Sequence, residues 1–79
     1  MPILYYEEQQ DGLSERFLSD LYDAYINIAA HPHYYSFISS DKKIRDLKLK
    51  HFPFVVIYEI IHQQVIVIDV FNTHRKPIF

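Results

Sequence analysis

Two clusters of basic residues are the best candidates for chemistry in this sequence, because cationic side chains bind phosphate and carboxylate groups. The first cluster comprises Arg45, Lys48 and Lys50, and the second comprises His74, Arg75 and Lys76. A histidine exchanges protons near neutral pH and an arginine can clamp a phosphate, so the second cluster suits acid–base chemistry. The simpler interpretation is that both clusters are solvated parts of strands, where lysine also protects an exposed edge from aggregation.

Other patterns are weaker evidence for a site. His31 and His33 are separated by one residue and lack neighbouring cysteine or carboxylate ligands, so no metal site is predicted. No pattern calls for a cofactor. Glu59 and Asp69 each interrupt an apolar run, and they either pair with a cation across a sheet or face water.

The bulk composition predicts one small domain over residues 1–79. A hydrophobic fraction of 49% and a single glycine exclude a disordered or low-complexity chain. The net charge is −2, yet residues 1–23 hold six acidic residues against one arginine, whereas residues 41–50 hold five basic residues against two acidic ones. A pI of about 6.2 argues against a large phosphate-binding footprint. No export signal or membrane span is predicted, and the absence of cysteine fits a cytoplasmic protein.

Hydrophobic periodicity predicts a helix from Leu13 to about Ala30. Its apolar residues recur every three or four positions, Asp11 or Ser14 can cap its start, and Pro32 ends it. The preceding segment, Ile3–Gln10, is predicted to be the last turns of another helix. A short connection then joins the two into a helical hairpin.

The second half of the chain predicts strands. Ile44–Lys50 alternates between apolar and charged residues, as a half-buried strand requires. Phe54–Ile61 and Val65–Phe71 are β-branched and aromatic runs, and His62–Gln63–Gln64 is predicted to join them as a hairpin. Helices followed by consecutive strands predict an α+β fold, with the helical hairpin packed on a three- to four-stranded antiparallel sheet.

Four segments resemble the RelE/ParE toxin superfamily in their sequences and in their order along the chain, and they are closest to its ParE-like or plasmid-stabilisation branch. They are YYEEQQDGLSERFLSDL (residues 5–21), the helix exit AHP (30–32), IRDLKLKHFPFVVIYEI (44–60) and VIVIDVFNTHRKP (65–77). Members of that superfamily generally begin with a strand and a full first helix, whereas this chain is expected to begin inside that helix. The resemblance therefore implies a shortened domain without its first strand and with an exposed sheet edge.

The resemblance implies the toxin of a type II toxin–antitoxin pair, neutralised by an antitoxin segment. A ParE-like toxin is expected to inhibit a protein target, namely DNA gyrase. In a RelE-like toxin that cuts mRNA on the ribosome, the catalytic positions would correspond to Arg45, Lys48, Lys50, His74 and Arg75, with Lys76 beside them. Phe79 lacks the hydroxyl of the terminal aromatic in active members, which favours protein-targeted toxicity.

Two further expectations concern partners. Pairing at an exposed sheet edge predicts a homo-oligomer or strand addition by another chain. If the missing strand has cost the chain its activity, the alternative function is a non-toxic module that forms oligomers or binds an antitoxin.

Overall fold

A computed structural model describes the backbone of residues 3–5 and the whole of residues 14–74. Its elements are β1 (Ile3–Tyr5), α1 (Glu15–Ala30), β2 (Ile44–Lys48), β3 (Phe54–Ile61) and β4 (Gln64–Asn72). The strands form a single sheet in the order β1-β4-β3-β2, and α1 packs on one of its faces. This arrangement confirms the predicted α+β fold.

The prediction of a first helix over Ile3–Gln10 is wrong where the structure describes that segment. Ile3–Tyr5 is a strand that runs parallel to β4, with Leu4 opposite Ile66. The expected absence of a first strand is therefore also wrong, and the sheet is mixed, because only β2, β3 and β4 are antiparallel. A three-residue strand is too short to show alternation and depends on pairing with distant residues, which helical periodicity cannot reveal. Residues 6–10 lie outside the described residues, as does the whole of the predicted hairpin connection, Gln10-Asp11-Gly12.

The helix α1 ends at Ala30 as predicted and buries the predicted apolar face, but it begins at Glu15, two residues after the predicted start. The Ser14 hydroxyl accepts a hydrogen bond from the Phe17 N–H at 3.1 Å, which satisfies one of the free donors of the first turn. At the other end the His31 N–H donates to the Asn27 carbonyl at 3.0 Å, just before Pro32. The apolar face that α1 buries against the sheet consists of Phe17, Leu21, Ala24 and Ile28.

The sheet face that receives α1 is built from alternate residues of β3 and β4. Val56 and Tyr58 of β3 meet Val65 and Val67 of β4, and all four side chains are fully buried. A β-bulge between Ile57 and Tyr58 adds one residue to β4, so Val70 returns to this face. Strict alternation would have turned Asp69 towards the core, and the bulge prevents that.

Tyr58 links the sheet to the end of α1. Its hydroxyl donates to the Pro32 carbonyl at 2.8 Å, while its ring lies in the core. Burial raises the pKa of the Tyr58 phenol to about 12, despite the nearby positive charge of Arg45. The phenol is therefore protonated at neutral pH and can donate to Pro32.

The predicted hairpin between β3 and β4 is confirmed, and its turn is strained. Ile61 pairs with Gln64, so His62 and Gln63 form a two-residue turn with φ angles of 51° and 64°. A two-residue turn with both φ angles positive is the type that Asn-Gly favours, because side chains with a Cβ disfavour this region.

The first prediction concerns this turn. Gln63→Gly should raise the free energy of unfolding by about 0.5–1 kcal/mol, because glycine adopts positive φ without steric cost. Gln64→Gly is the matched control; Gln64 is a strand residue, and its replacement should lower stability. Urea denaturation of both variants measures the difference in the free energy of unfolding. A Gln63→Gly variant that is less stable than the unsubstituted protein would contradict the conclusion that this turn is strained.

The second prediction concerns the link from the core to the helix exit. Tyr58→Phe should lower the free energy of unfolding by about 1–2 kcal/mol, since it leaves the Pro32 carbonyl without its donor while keeping the ring. Thermal denaturation of the variant tests this. Tyr22→Phe, at an exposed position of α1, should leave stability unchanged.

Candidate functional site

The strand β2 forms one edge of the sheet and is only partly covered. The segment after α1 pairs with its first half, where the Ile38 N–H donates to the Ile44 carbonyl at 2.7 Å and the Asp46 N–H to the Ser36 carbonyl at 3.4 Å. In the antiparallel register with β3, the backbone groups of Lys48 also point outwards. Among the described residues, no backbone partner meets them. Within residues 14–74, the second half of this edge is therefore unpaired.

Two grooves flank this open stretch of β2. One, of about 230 Å³, lies between α1 and β2 and is lined by Asp20, Asp23, Ala24, Ile26, Asn27, Leu47, Lys48 and Lys50. The other, of about 500 Å³, lies beside the segment after α1 and is lined by Tyr34, Tyr35, Ser36, Asp46, Leu47 and Lys48. The grooves share Leu47 and Lys48, so they form one surface along the edge strand.

Lys48 and Lys50 are exposed, as predicted, but they do not belong to one continuous strand. β2 ends at Lys48, and Lys50 lies in the loop to β3, next to the buried Leu49. Asp46 precedes them on β2 and is half-buried. Burial raises the pKa of the Asp46 carboxyl, and the positive charge of Lys48 offsets only part of this effect.

Arg45 is held by the segment that follows α1. Its guanidinium donates to the His33 carbonyl at 3.1 Å and to the Tyr35 carbonyl at 2.6 Å, and it lies 3.9 Å from the centre of the Phe37 ring. In the register of the sheet Arg45 is opposite Tyr58, on the face that receives α1. These contacts make Arg45 a tie between the helix exit and β2, while its predicted catalytic role stays a prediction.

The loop between β2 and β3 is fixed by aromatic packing. The Phe17 ring of α1 meets the rings of Phe52 and Phe54 edge-on, with centroids 5.3 Å and 4.8 Å apart. The Leu49 N–H also donates to the Phe54 carbonyl at 2.9 Å. The loop therefore holds Lys50 and His51 in a defined position next to α1.

Asp20 on α1 is the polar side chain that joins this loop to the helix. One carboxylate oxygen accepts the His51 backbone N–H at 2.9 Å, and the other lies 3.0 Å from His51 Nδ1. Asp20 is buried, whereas the His51 side chain is 59% exposed. Burial by itself raises the pKa of the Asp20 carboxyl, but the His51 hydrogen bonds and the nearby charge of Lys50 lower it below its ordinary value.

Sequence reasoning missed the Asp20–His51 pair. The available signal was that Asp20 falls on the stripe of α1 that is otherwise apolar, next to Leu21 and three residues after Phe17. A carboxylate on a buried stripe requires a hydrogen-bond partner. The partner is 31 residues away, and no local pattern identifies it.

The second basic cluster is only partly described. His74 is exposed, and its N–H donates to the Asn72 side-chain oxygen at 2.9 Å. Thr73 bonds through both its N–H and its hydroxyl to the Pro53 carbonyl, at 2.8 Å and 3.1 Å. The end of β4 is thereby tied to the loop that carries Lys50. Arg75 and Lys76 lie outside the described residues.

Three further questions from the sequence concern the acidic residues Glu59 and Asp69, a metal site and a membrane span. In the register of the sheet, Glu59 and Asp69 lie on the face away from α1, and neither forms an ion pair within the described part of the chain. No group of metal-binding side chains occurs among residues 14–74. In the same described part, no helix is long and apolar enough to cross a membrane.

The Asp20–His51 pair gives the third prediction, on acid stability. Because the pKa of Asp20 is lowered from 3.8, its stabilising contribution is fully present above about pH 5 and is lost as the pH falls through the folded value. Asp20→Asn should therefore be less stable than the unsubstituted protein at pH 7, and the difference should shrink below pH 4. Urea denaturation between pH 3 and pH 7 measures this difference, with the exposed Asp23→Asn as control. A difference that stays constant over this range would contradict the assignment.

Comparison with known proteins gives one informative match. A family model described as the ParE toxin of the type II toxin–antitoxin system parDE matches residues 3–77. Searches of curated proteins and of solved structures returned no match. The matched span includes every described element from β1 to β4, together with both basic clusters. This chain belongs to the ParE toxin family of type II toxin–antitoxin systems.

Proposed function

We propose that this toxin acts by binding a protein target, DNA gyrase, through the open half of β2 and the grooves beside it. The observation that carries the proposal is that the Lys48 backbone has no partner among the described residues, next to the exposed side chains of Lys48 and Lys50. Backbone groups that point outwards from an edge strand recognise another strand, and neighbouring cations select an acidic one. This combination suits binding and requires no catalytic group.

The antitoxin would use the same surface. An extended acidic segment that pairs with Lys48 would continue the line of Ser36 to Ile38 along β2. Its side chains would enter the two grooves, where Leu47 provides an apolar contact between them. The same edge would pair with a second copy of the chain when the antitoxin is absent, and occupation by the antitoxin would exclude the target.

Cleavage of mRNA receives less support from the described residues. Such a reaction needs a general base, a general acid and cations at the scissile phosphate. Of the predicted catalytic residues that the structure describes, Arg45 is engaged with backbone carbonyls and a phenyl ring. His74 is the histidine among them, and histidine is the residue type used most often as a general acid or base. A binding function therefore accounts for the described surface without the general acid and general base that mRNA cleavage requires.

The fourth prediction tests this surface. Lys48→Gln combined with Lys50→Gln should weaken binding to gyrase by about tenfold and relieve growth arrest, because two cations at the open edge are lost. The matched control is Lys42→Gln with Lys43→Gln, which removes the same charge from an exposed turn. The measurements are colony counts after induced expression and supercoiling by purified gyrase, with circular dichroism to confirm folding.

Each outcome of that experiment has a distinct meaning. Growth arrest that is relieved by co-expression of a small protein encoded next to this gene would support the toxin–antitoxin pair. A double variant that remains toxic would exclude the basic surface. Toxicity with unaffected gyrase and blocked translation would exclude gyrase and favour the ribosome, and harmless expression of folded protein would favour the non-toxic module.

A further inference from the structure

We propose that the partner segment bound beside β2 carries charges of both signs, with a basic side chain that pairs with Asp23 of α1 and acidic side chains that pair with Lys48 and Lys50. The inference rests on the proposed function, because it specifies the partner of the same surface. It gives Asp23 a part in selecting that partner, which the two basic clusters do not include.

The groove between α1 and β2 has one acidic wall and one basic wall. The helix contributes Asp20 and Asp23 to its lining. The strand β2 and the loop after it contribute Lys48 and Lys50. The apolar side chains that line the same groove are Ala24, Ile26 and Leu47. A side chain that enters the groove therefore meets carboxylates on one side and ammonium groups on the other.

The exposed charges of the two walls do not neutralise each other. Within residues 14–74, no ion pair joins Lys48 or Lys50 to Asp23 across the groove. All three side chains are exposed, and the described residues supply no hydrogen-bond partner for them. Opposite charges that face one groove without pairing are available to a partner that supplies both counter-charges.

Of the two acidic residues in the groove, Asp23 is the one that can pair with a partner. The Asp20 carboxylate is buried, and its two oxygens already contact the backbone N–H and the Nδ1 atom of His51, at 2.9 Å and 3.0 Å. Asp23 lies almost one turn further along α1 and is exposed. A basic residue of the partner therefore meets Asp23 rather than Asp20.

The order of the charges is fixed, because α1 and β2 run in opposite directions along the groove. Near the start of α1, Asp20 holds His51, the residue that follows Lys50. At the helix exit, two backbone carbonyls accept hydrogen bonds from Arg45, near the start of β2. Lys50 therefore lies at the Asp20 end of the groove, and Lys48 lies nearer the helix exit. A matching segment needs its basic and acidic residues at a fixed spacing.

A segment with charges of one sign would fit this groove poorly. A uniformly acidic segment is attracted by the two lysines and repelled by Asp23, whereas a uniformly basic segment experiences the reverse. Like charges brought together at an interface oppose binding, so each wall selects against one of these segments. The groove therefore distinguishes partners by the order of their charges.

The fifth prediction uses a phage-displayed library of random peptides of aspartate, lysine, valine and serine as the probe, since the natural partner is unidentified. The library is selected at low salt on the folded chain. Peptides bound by the unsubstituted protein should be enriched in lysine and aspartate at a fixed spacing. Asp23→Asn should abolish the enrichment of lysine, and Lys48→Gln combined with Lys50→Gln should abolish that of aspartate.

The affinity of one selected peptide gives the size of the effect. In isothermal titration calorimetry at low salt, replacing its enriched lysine by glutamine should weaken binding by about two- to fivefold, as expected for one exposed ion pair. The same replacement should not change binding to the Asp23→Asn variant. Glu15→Gln is the matched control, because it removes the same charge from an exposed position of α1 outside the groove, and it should keep the full effect.

A charge reversal provides a test that loss of folding cannot mimic. Asp23→Lys should bind the peptide in which aspartate replaces the enriched lysine more tightly than it binds the original peptide. A merely structural Asp23 would give no such reversal. Circular dichroism confirms that each variant is folded.

The outcomes separate this inference from the proposed function. Enrichment of aspartate that depends on Lys48 and Lys50, without enrichment of lysine that depends on Asp23, would overturn the role of Asp23 alone. Enrichment that stays the same when both lysines are replaced would overturn the proposed surface. A selection that yields no enriched peptide would contradict both.

Discussion

The packing of one helix face against one sheet face is the constraint on which the rest of this small protein depends. Phe17, Leu21, Ala24 and Ile28 supply the helix side of that contact, and short β-branched residues of β3 and β4 supply the other. A chain of 79 residues buries only about 60% of its unfolded surface, so few other contacts can replace this one. The β-bulge serves the same contact, because it returns Val70 to the core and directs Asp69 away from it.

The proposed binding surface on β2 lies between the two ends of this helix–sheet contact. Hydrogen bonds hold one end, and ring packing and hydrogen bonds hold the other. At the helix exit, Tyr58 and Arg45 hold the backbone of residues 32–35 through hydrogen bonds to carbonyl oxygens. Near the start of the helix, Phe17 and Asp20 hold the loop that follows β2. Between these two anchors, no backbone group in the described part of the chain pairs with the edge of β2 around Lys48. This stretch of β2 therefore lies between two anchored segments, which reduces the conformational entropy that the protein itself loses when a partner binds.

Structural features that are encoded by neighbouring residues could be predicted from the sequence. Features that depend on contacts between residues far apart in the chain could not. The period of α1, its Ser14 cap and the hairpin of β3 and β4 are all encoded within a few residues, and the structure confirms them. β1 was mistaken for a helix because its pairing with β4 spans some sixty residues of sequence. Arg45 was grouped with Lys48 and Lys50 because it is near them in sequence and matches the same positions of the resembled superfamily, although alternation places Arg45 and Lys48 on opposite faces of β2. The Asp20–His51 pair had only the indirect signal of an acid on an apolar stripe.

Acidic and basic residues that are separated along the chain lie together in one groove of the folded protein. The acidic first part of the sequence contributes Asp20 and Asp23 to the groove beside β2, and the basic segment contributes Lys48 and Lys50 to the same groove. An acidic partner is attracted by the lysines and repelled by the helix, so the two contributions partly cancel. In such a balanced groove the loss of one negative charge changes the net field by a large fraction. The loss of a lysine charge has the same weight, so the attraction of an acidic partner to this groove depends on both Lys48 and Lys50.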